Sequence, residues 1–416
     1  MNHSTPPSSL VLVFSSPAIL SLIFARILYA VNWFNISSIF YLIATDFKQD
    51  ISMLGLVTAG FLIGIGIFQV PAGMLAAKYG PRKLAISGIL ISSTGALLCA
   101  LSTELLQMIA LRFLVGVGMA FFFGPSVILI SKYLGKGSEG LGIGLLNSAQ
   151  ALGAIIVIFG WVVVAQLSSW RISLIFSGTL GILTALFLVF ALAREKKRRE
   201  LSDNKGEEEE KQEYPKSSYT ETIRISDLKQ TLLNRSLIMW GLALLGIQVG
   251  WNLISTFTVF YLKDNLHIYP IIAGLIGSIA LVSVLVFSPI FGRIYGKMKA
   301  SKELFVICGV GLSISVSLIA LNTLYATIIS VTLAGIFVAG GFVVPYARAK
   351  EINEKFQPMY ATLAVSYVNG VSLFGAFWVP FLFSSIVKRL GGYSVAWLIG
   401  SVITLVLVLL ILRQKS

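Results

Sequence analysis

Long apolar stretches alternate with short polar connections along most of this chain. A stretch of about 20 apolar residues is long enough for a helix to cross a hydrocarbon layer of roughly 30 Å. The pattern therefore predicts an all-α polytopic membrane protein with twelve transmembrane helices, which we number spans 1 to 12. Their predicted positions are 17–44, 51–76, 83–101, 105–131, 139–166, 171–193, 236–262, 270–291, 304–321, 324–347, 359–386 and 392–412.

A polar stretch over residues 194–235 interrupts this pattern after span 6. It contains a basic run that starts at Arg194 and an acidic run over residues 207–210. This stretch has too few apolar residues to bury the surface that independent folding requires. We therefore expect a solvated cytoplasmic linker. A short surface helix is expected between Ile223 and Leu233. The predicted organisation is a six-helix bundle over 1–193, the linker over 194–235, and a second six-helix bundle over 236–416.

The two predicted bundles contain matching residues at a nearly constant offset. The offset rises from 218 through 219 to 222 positions along the chain, which favours an internal duplication over chance pairs. The matched pairs are Val31 and Val249, Trp33 and Trp251, Ser37 and Ser255, Asp46 and Asp264, Gly73 and Gly292, Gly116 and Gly335, Asn147 and Asn369, and Gly153 and Gly375.

The net charge of +14 would suit a nucleic-acid partner, but the distribution of the basic residues indicates another cause. We count 25 Lys and Arg residues on the side of the membrane that holds the turn over 78–83, and five on the other side. Positive residues are retained in the cytoplasm, so this bias predicts that both ends of the chain are cytoplasmic. The compact twelve-span chain with short loops favours the cell (plasma) membrane. We interpret the net positive charge as a topology signal and expect no nucleic-acid partner.

The turn between spans 2 and 3 carries a specific motif. Gln69, Pro71, Gly73, Lys78, Gly80 and Arg82 stand in a pattern that resembles the loop between helices 2 and 3 of the major facilitator superfamily. Arg112, Gly116 and Gly118 in span 4 and Trp170-Arg171 before span 6 resemble further signatures of that family. The resemblance implies two pseudo-symmetric six-helix bundles that work by alternating access. Ala77 replaces the aspartate of the loop signature, so we expect a weaker cytoplasmic latch that rests on Lys78 and Arg82.

Polar residues inside the spans are the candidates for substrate binding, because the bilayer interior disfavours them elsewhere. Arg26 and Arg112 are the two basic residues within spans, and an unpaired buried guanidinium needs water, a partner or an anionic substrate. Structural roles, such as bonds between helices, remain open for both. The further candidates, some of which could equally pack or bond between helices, are Asn32, Trp33, Asn35, Ser37, Ser38, Asn147, Gln150, Gln248, Trp251, Asn252, Ser255, Thr256 and Asn369.

The resemblance narrows the transporter class. The organic-anion symporters of the family pair an arginine in helix 1 with the signature arginine in helix 4, as Arg26 and Arg112 would. Met119 stands where those symporters often have an acidic residue, which weakens the inference of proton coupling. The nitrate carriers use arginines in helices 2 and 8, which this chain lacks. We therefore expect a secondary transporter of a small organic anion; the alternative is an efflux carrier for amphipathic or neutral compounds.

Other function classes find little support in the sequence. Each of the 18 acidic residues falls at a span end, in a loop or in the linker, and both histidines fall outside the spans. An intramembrane enzyme would need such groups in the membrane, so we do not expect an enzyme. The glycine-rich stretches lack the context of a nucleotide loop, and we expect no cofactor and no metal site. The expected partners are the small-molecule substrate and the lipid bilayer; a coupling ion is left open, and a monomer is expected.

Overall fold

The structure is a computed structural model that describes residues 16–36, 39–48, 55–135, 138–204, 225–298, 301–356, 360–389 and 392–414. In the first half, helices form span 1 (Pro17–Phe34 and Phe40–Phe47) and spans 2 to 6 (Gly55–Tyr79, Pro81–Ala100, Leu105–Leu134, Glu139–Leu167 and Trp170–Asn204). In the second half, helices form spans 7 to 10 (Arg235–Asp264, Pro270–Lys297, Ser301–Leu318 and Leu324–Phe356), span 11 (Ala361–Gly375 and Val379–Arg389) and span 12 (Tyr393–Leu409). Short 3-10 turns, Ile319–Leu321 and Leu410–Arg413, extend spans 9 and 12.

The all-α polytopic prediction is confirmed. Eleven helices of the described residues are long and apolar enough to cross a membrane, and Ala361–Gly375 of span 11 is a shorter apolar helix. We refer to spans 1 to 6 as the N-bundle and spans 7 to 12 as the C-bundle. The end of the bundles at which the turn over 78–83 lies is called the basic end.

Spans 1 and 11 are interrupted, although the apolar pattern predicted each as one continuous helix. The first helix of span 1 ends at Asn35, because carbonyl oxygens of Asn32 and Trp33 accept hydrogen bonds from Arg112. In span 11 the break falls at residues 376–378. Pro380 follows it, and a proline cannot donate the backbone hydrogen bond that would continue the helix onto the carbonyl of Ala376.

The segment between the bundles is more helical than the sequence suggested. Span 6 continues as helix to Asn204, past the predicted start of the linker at residue 194. A linker helix, Ile225–Leu232, lies within the range predicted for a short surface helix. The acidic run over 207–210 falls outside the described residues.

Equivalent close contacts in the two bundles support the internal duplication. A Cβ added to Gly116 in span 4 would come under 3.0 Å from the backbone oxygen of Phe61 in span 2. A Cβ added to Gly335 in span 10 would meet the backbone oxygen of Ala280 in span 8 in the same way. Both the glycines and their neighbours are 219 positions apart. The duplicated glycines thus let the same pair of helices approach closely in each bundle.

At the ends of the bundles opposite the basic end, equivalent contacts also join the helices. Arg171 donates to the carboxylate of Asp46 at 2.6 Å, and the indole of Trp170 donates to the same oxygen at 3.2 Å. In the C-bundle, the hydroxyl of Tyr393 donates to Asp264 at 2.9 Å. Tyr393 lies 222 positions after Arg171, so a neutral donor takes the place of the cation in the second copy.

We expect Gly116→Ala and Gly335→Ala each to lower the free energy of unfolding by about 1–3 kcal/mol, because the added methyl group meets backbone that cannot move aside. Thermal unfolding in detergent measures the change. Gly160→Ala is the matched control, since a Cβ at Gly160 has no neighbour within 4 Å. Equal melting temperatures for all three variants would contradict the close packing.

Asp46 should make thermal stability depend on pH. The hydrogen bond from Arg171 lowers the pKa of Asp46 below its ordinary value of 3.8. A carboxylate with a lowered pKa stabilises the folded state above its unfolded pKa, and that stabilisation is lost as the pH falls through the folded value. The difference in melting temperature between the wild type and Asp46→Asn should therefore be constant near neutral pH and shrink below about pH 4.

Arg171→Gln should give the same pH profile as Asp46→Asn, and the double variant should add little to either. A difference that is independent of pH down to about pH 3 would show that the ion pair contributes nothing to stability.

Candidate functional site

Arg26 lies midway along the first helix of span 1, and its side chain is buried with 3% exposed. The guanidinium carbon lies 4.3 Å from the ring centre of Tyr29 and 5.0 Å from that of Phe123 in span 4. One terminal nitrogen, Nη2, donates to the side-chain oxygen of Gln150 in span 5. Nε and Nη1 have no hydrogen-bond partner in the described part of the chain. Two aromatic faces and one amide therefore stabilise the cation only in part.

The C-bundle contributes a second polar group beside this arginine. The ring centre of Tyr346 in span 10 lies 5.1 Å from that of Phe123, across the boundary between the bundles. The Tyr346 hydroxyl donates to Oδ1 of Asn369 in span 11 at 2.7 Å. Asn369 is 4% exposed, and its Nδ2 finds no partner within the described ranges. We call Arg26, Phe123, Gln150, Tyr346 and Asn369 the Arg26 cluster.

Asn147 adds a further amide near the cluster. It lies on span 5, three residues before Gln150 and so about one helical turn away on the same face. Its Nδ2 also lacks a partner in the described residues, like the Nδ2 of its duplicated counterpart Asn369. The unpaired atoms of Arg26, Asn147 and Asn369 are all N–H donors. Such a set suits a ligand that accepts hydrogen bonds and carries negative charge.

Arg112 has a different environment, although it is equally buried. Its Nη1 donates to the backbone oxygen of Asn32 at 2.9 Å and to Oδ1 of Asn35 at 3.3 Å, and its Nη2 donates to the oxygen of Trp33 at 3.3 Å. The guanidinium also lies 4.6 Å from the ring centre of Phe61. These contacts cap the end of a helix, where the carbonyl groups carry partial negative charge. They favour a structural role for Arg112.

The remaining candidates are divided between the two arginines and span 7. Asn32, Trp33 and Asn35 lie at the helix end that Arg112 binds, about two helical turns from Arg26. Gln248, Trp251 and Asn252 are half-buried on span 7, and Ser255 and Thr256 are exposed there. Ser37 and Ser38 fall outside the described residues. The sequence did not single out Tyr346; the signal available was a tyrosine in an otherwise apolar part of span 10.

The bundles meet at the basic end along two helix pairs. Spans 2 and 11 meet where a Cβ at Gly73 would come under 3.0 Å from the Cα of Leu363. Spans 5 and 8 meet through Gly140 and Gly292, whose backbones approach equally closely. Leu141 also touches Gly292, and it lies 222 positions before Leu363, so the two contacts are equivalent under the duplication.

An ion pair crosses the bundles at this end. Lys350 near the end of span 10 lies 3.4 Å from the carboxylate of Glu139 at the start of span 5, and the lysine is 3% exposed. The Ser148 hydroxyl donates to the backbone oxygen of Leu285, again from span 5 to span 8. The basic end is therefore closed by polar contacts as well as by packing.

Ala77, which replaces the aspartate of the signature, is buried at the other helix pair. It forms an apolar cluster with Tyr360 and Leu363 of the C-bundle, and Leu232 of the linker helix packs against it. Lys78 is exposed, and its ammonium lies 5.2 Å from the ring centre of Tyr79. A latch that rests on Lys78 and Arg82 thus stays a prediction.

The other signature residues position helices. Gly80 has a φ of 88° and separates span 2 from Pro81 at the start of span 3, as the sequence predicted. Gln69 is buried beside Gly370, and Pro71 lies inside the span 2 helix. Gly118 lets the backbones of spans 4 and 3 approach under 3.0 Å at Ser92.

Comparison with known proteins identifies the family. The sequence model of the Major Facilitator Superfamily matches residues 22–263 and again residues 239–416, so that each bundle is matched. The chain belongs to the major facilitator superfamily. It is accordingly a multi-pass membrane transporter, and the family resemblance of the motif over 69–83 is confirmed.

Two relatives of this superfamily match the chain over most of its length. A probable sulfoacetate transporter from Cupriavidus necator is 24% identical over 88% of this chain and 86% of its own. A nitrite extrusion protein from Bacillus subtilis is 26% identical over 90% of this chain and 88% of its own.

A solved structure confirms the fold. The proton:xylose symporter XylE superposes with a TM-score of 0.73 at 15% identity, covering 97% of this chain and 96% of its own. At that identity the likeness extends to the two-bundle fold alone.

The ion pair between Glu139 and Lys350 should hold the basic end closed. In Glu139→Gln the ion pair between the buried Lys350 ammonium and this carboxylate is lost, which disfavours the closed arrangement. We expect a larger population of long distances between spin labels at the exposed positions Lys83 and Lys297, measured in detergent.

Exchanging the charges, with Glu139→Lys and Lys350→Glu together, should restore most of the short distances. A distance distribution in Glu139→Gln equal to that of the wild type would show that this ion pair does not hold the basic end closed.

Proposed function

We propose that this chain is a secondary active transporter of a small organic anion, which it moves by alternating access with Arg26 as the anion-binding residue. One observation carries the proposal: the guanidinium of Arg26 is buried while two of its nitrogens lack partners in the described residues. Leaving a charged donor buried and unpaired is costly, and an anion that accepts from Nε or Nη1 removes that cost.

The neighbours of Arg26 support an anion over a cation or a neutral solute. The amides of Asn147 and Asn369 offer further N–H donors, whereas a cationic ligand would need acceptors. The first helix of span 1, Pro17–Phe34, has no acidic side chain, so none on that helix competes for the guanidinium. The ligand itself then supplies the negative charge that balances the buried cation.

The relatives support the same class. Sulfoacetate and nitrite, which appear in the names of the two relatives that match most of the chain, are both anions. One is organic and one inorganic, so the shared property is the charge. The two aromatic rings of the Arg26 cluster, together with the neighbouring ring of Tyr29, favour the organic class for this chain.

The arrangement suits alternating access because the cluster draws on both bundles. Arg26, Phe123 and Gln150 belong to the N-bundle, and Tyr346 and Asn369 belong to the C-bundle. A ligand between them is reached from one side while the basic end is closed, as it is here by the contact of Glu139 with Lys350. Rocking of the bundles about the bound anion would then expose it to the other side.

The charge bias supports a topology for the proposed carrier. With the basic end in the cytoplasm, 25 of the Lys and Arg residues face that compartment. We place the chain in the plasma membrane as a monomer with its two ends cytoplasmic. Its proposed partners are the anion, a coupling ion and the surrounding lipid.

Efflux of amphipathic or neutral compounds is the second candidate. The rings of Tyr29, Phe123 and Tyr346 favour it, because aromatic faces bind apolar groups of many shapes. The name of the nitrite extrusion protein also shows that a similar chain can be associated with export. Competition for the site by hydrophobic cations, with no competition by carboxylates, would select this candidate.

Variants of the two buried arginines test the anion proposal. Arg26→Met should abolish counterflow of labelled nicotinate and of labelled lactate in proteoliposomes. The melting temperature of the ligand-free protein should change little. Arg26→Lys should retain weak transport with a raised KM, because lysine keeps the charge but loses the planar fork. Arg112→Gln should lower the melting temperature, because it leaves the carbonyl groups of span 1 without their donor.

Lys263→Met is the matched control, since it removes the same charge at an exposed position on span 7. Counterflow of either anion by Arg26→Met at the rate of the wild type would rule out Arg26 as the anion-binding residue.

A further inference from the structure

We infer that Asn369, oriented by Tyr346, forms a second recognition point in the Arg26 cluster and restricts the substrate to anions that carry a second hydrogen-bond acceptor. The inference rests on the proposed function, because it assigns the anionic group of the substrate to Arg26. It adds a property of the substrate that charge alone does not determine.

The hydrogen bond from Tyr346 fixes what Asn369 can offer. A free amide can turn over and present either its oxygen or its NH2 group to a ligand. Here the Tyr346 hydroxyl donates to Oδ1 at 2.7 Å, so the oxygen is occupied and the Nδ2 group is presented. That group is buried and has no partner in the described residues. The side chain of Asn369 is therefore oriented as a donor.

The position of Asn369 places this donor across the bundle boundary from Arg26. The guanidinium of Arg26 lies 5.0 Å from the ring centre of Phe123, and that ring centre lies 5.1 Å from the ring centre of Tyr346. Arg26 and Tyr346 therefore pack against the same ring, and the inferred substrate is a small molecule that lies beside it. With its anionic group on Arg26 and an acceptor on Asn369, it would touch both bundles at once.

The chemistry of the second group follows from the donor. A ring nitrogen, a hydroxyl oxygen or an oxygen of a second acid group can accept from Nδ2. A methyl group or an aromatic C–H cannot, and would leave the amide buried and unpaired. Sites built around a buried hydrogen-bonding group discriminate strongly against analogues that lack its partner. The inferred substrates are small carboxylates or sulfonates with one such acceptor.

Two pairs of monoanions with matched shape test the inference. Nicotinate and benzoate differ by a ring nitrogen in place of C–H, and lactate and isobutyrate differ by a hydroxyl in place of a methyl group. The purified full-length chain is titrated with each anion, and affinity is measured by thermal shift and by isothermal calorimetry. Wild type should bind the acceptor-bearing member of at least one pair about tenfold more tightly, as expected for one buried hydrogen bond.

Asn369→Leu should reduce that ratio to about one, by weakening the acceptor-bearing anion and leaving its partner unchanged. Tyr346→Phe keeps the ring against Phe123 and removes only the hydroxyl, so it should lower the ratio by releasing the amide. This second variant tests the positioning role of Tyr346, and it replaces Asn369→Leu as the test if that variant does not fold. Arg26→Met should weaken both members of a pair equally.

An unchanged ratio in Asn369→Leu, or in Tyr346→Phe, would overturn the inference while leaving the proposed anion site intact. Equal affinity of the wild type for the two members of each pair would also overturn the inference and leave the proposed anion site intact. Failure of the wild type to bind any of the four anions would instead overturn the proposed function together with this inference.

Discussion

The burial of the Arg26 guanidinium is the constraint on which the centre of this molecule depends. A cation in the interior of a membrane protein must be offset by charge, dipoles or water. Here two aromatic faces and the oxygen of Gln150 offset the charge in part, and Nε and Nη1 have no hydrogen-bond partner in the described residues. These two unpaired donors are the basis of the anion site proposed for this residue.

Arg112 is more fully paired than Arg26: both of its terminal nitrogens donate to acceptors, and its Nε alone among its nitrogens lacks a partner in the described residues. The end of a helix presents carbonyl groups with partial negative charge, and Arg112 binds two of them together with the side chain of Asn35. The same contacts explain why the first helix of span 1 ends where it does. Two arginines that are alike in burial thus differ in how fully the fold supplies them with acceptors.

The spans and the equivalence of Gly116 and Gly335 could be predicted from the sequence, because apolar length and a constant offset are local or repetitive signals. The break in span 1 could not, because it depends on an arginine from span 4. Tyr346 and Lys350 were missed for a related reason. Their roles arise from partners on other spans, Asn369 and Glu139, and a single sequence carries no record of those contacts.

The duplicated halves have kept their framework and diverged in their polar groups. Asn147 and Asn369 are equivalent by offset, yet only Asn369 has its oxygen held by Tyr346. The two helix pairs that close the basic end also differ, since spans 5 and 8 meet beside the Glu139–Lys350 ion pair and spans 2 and 11 meet through the apolar cluster at Ala77. In the proposed transport cycle, the symmetric framework would let the bundles rock, and the unsymmetric side chains would give the substrate one orientation between them.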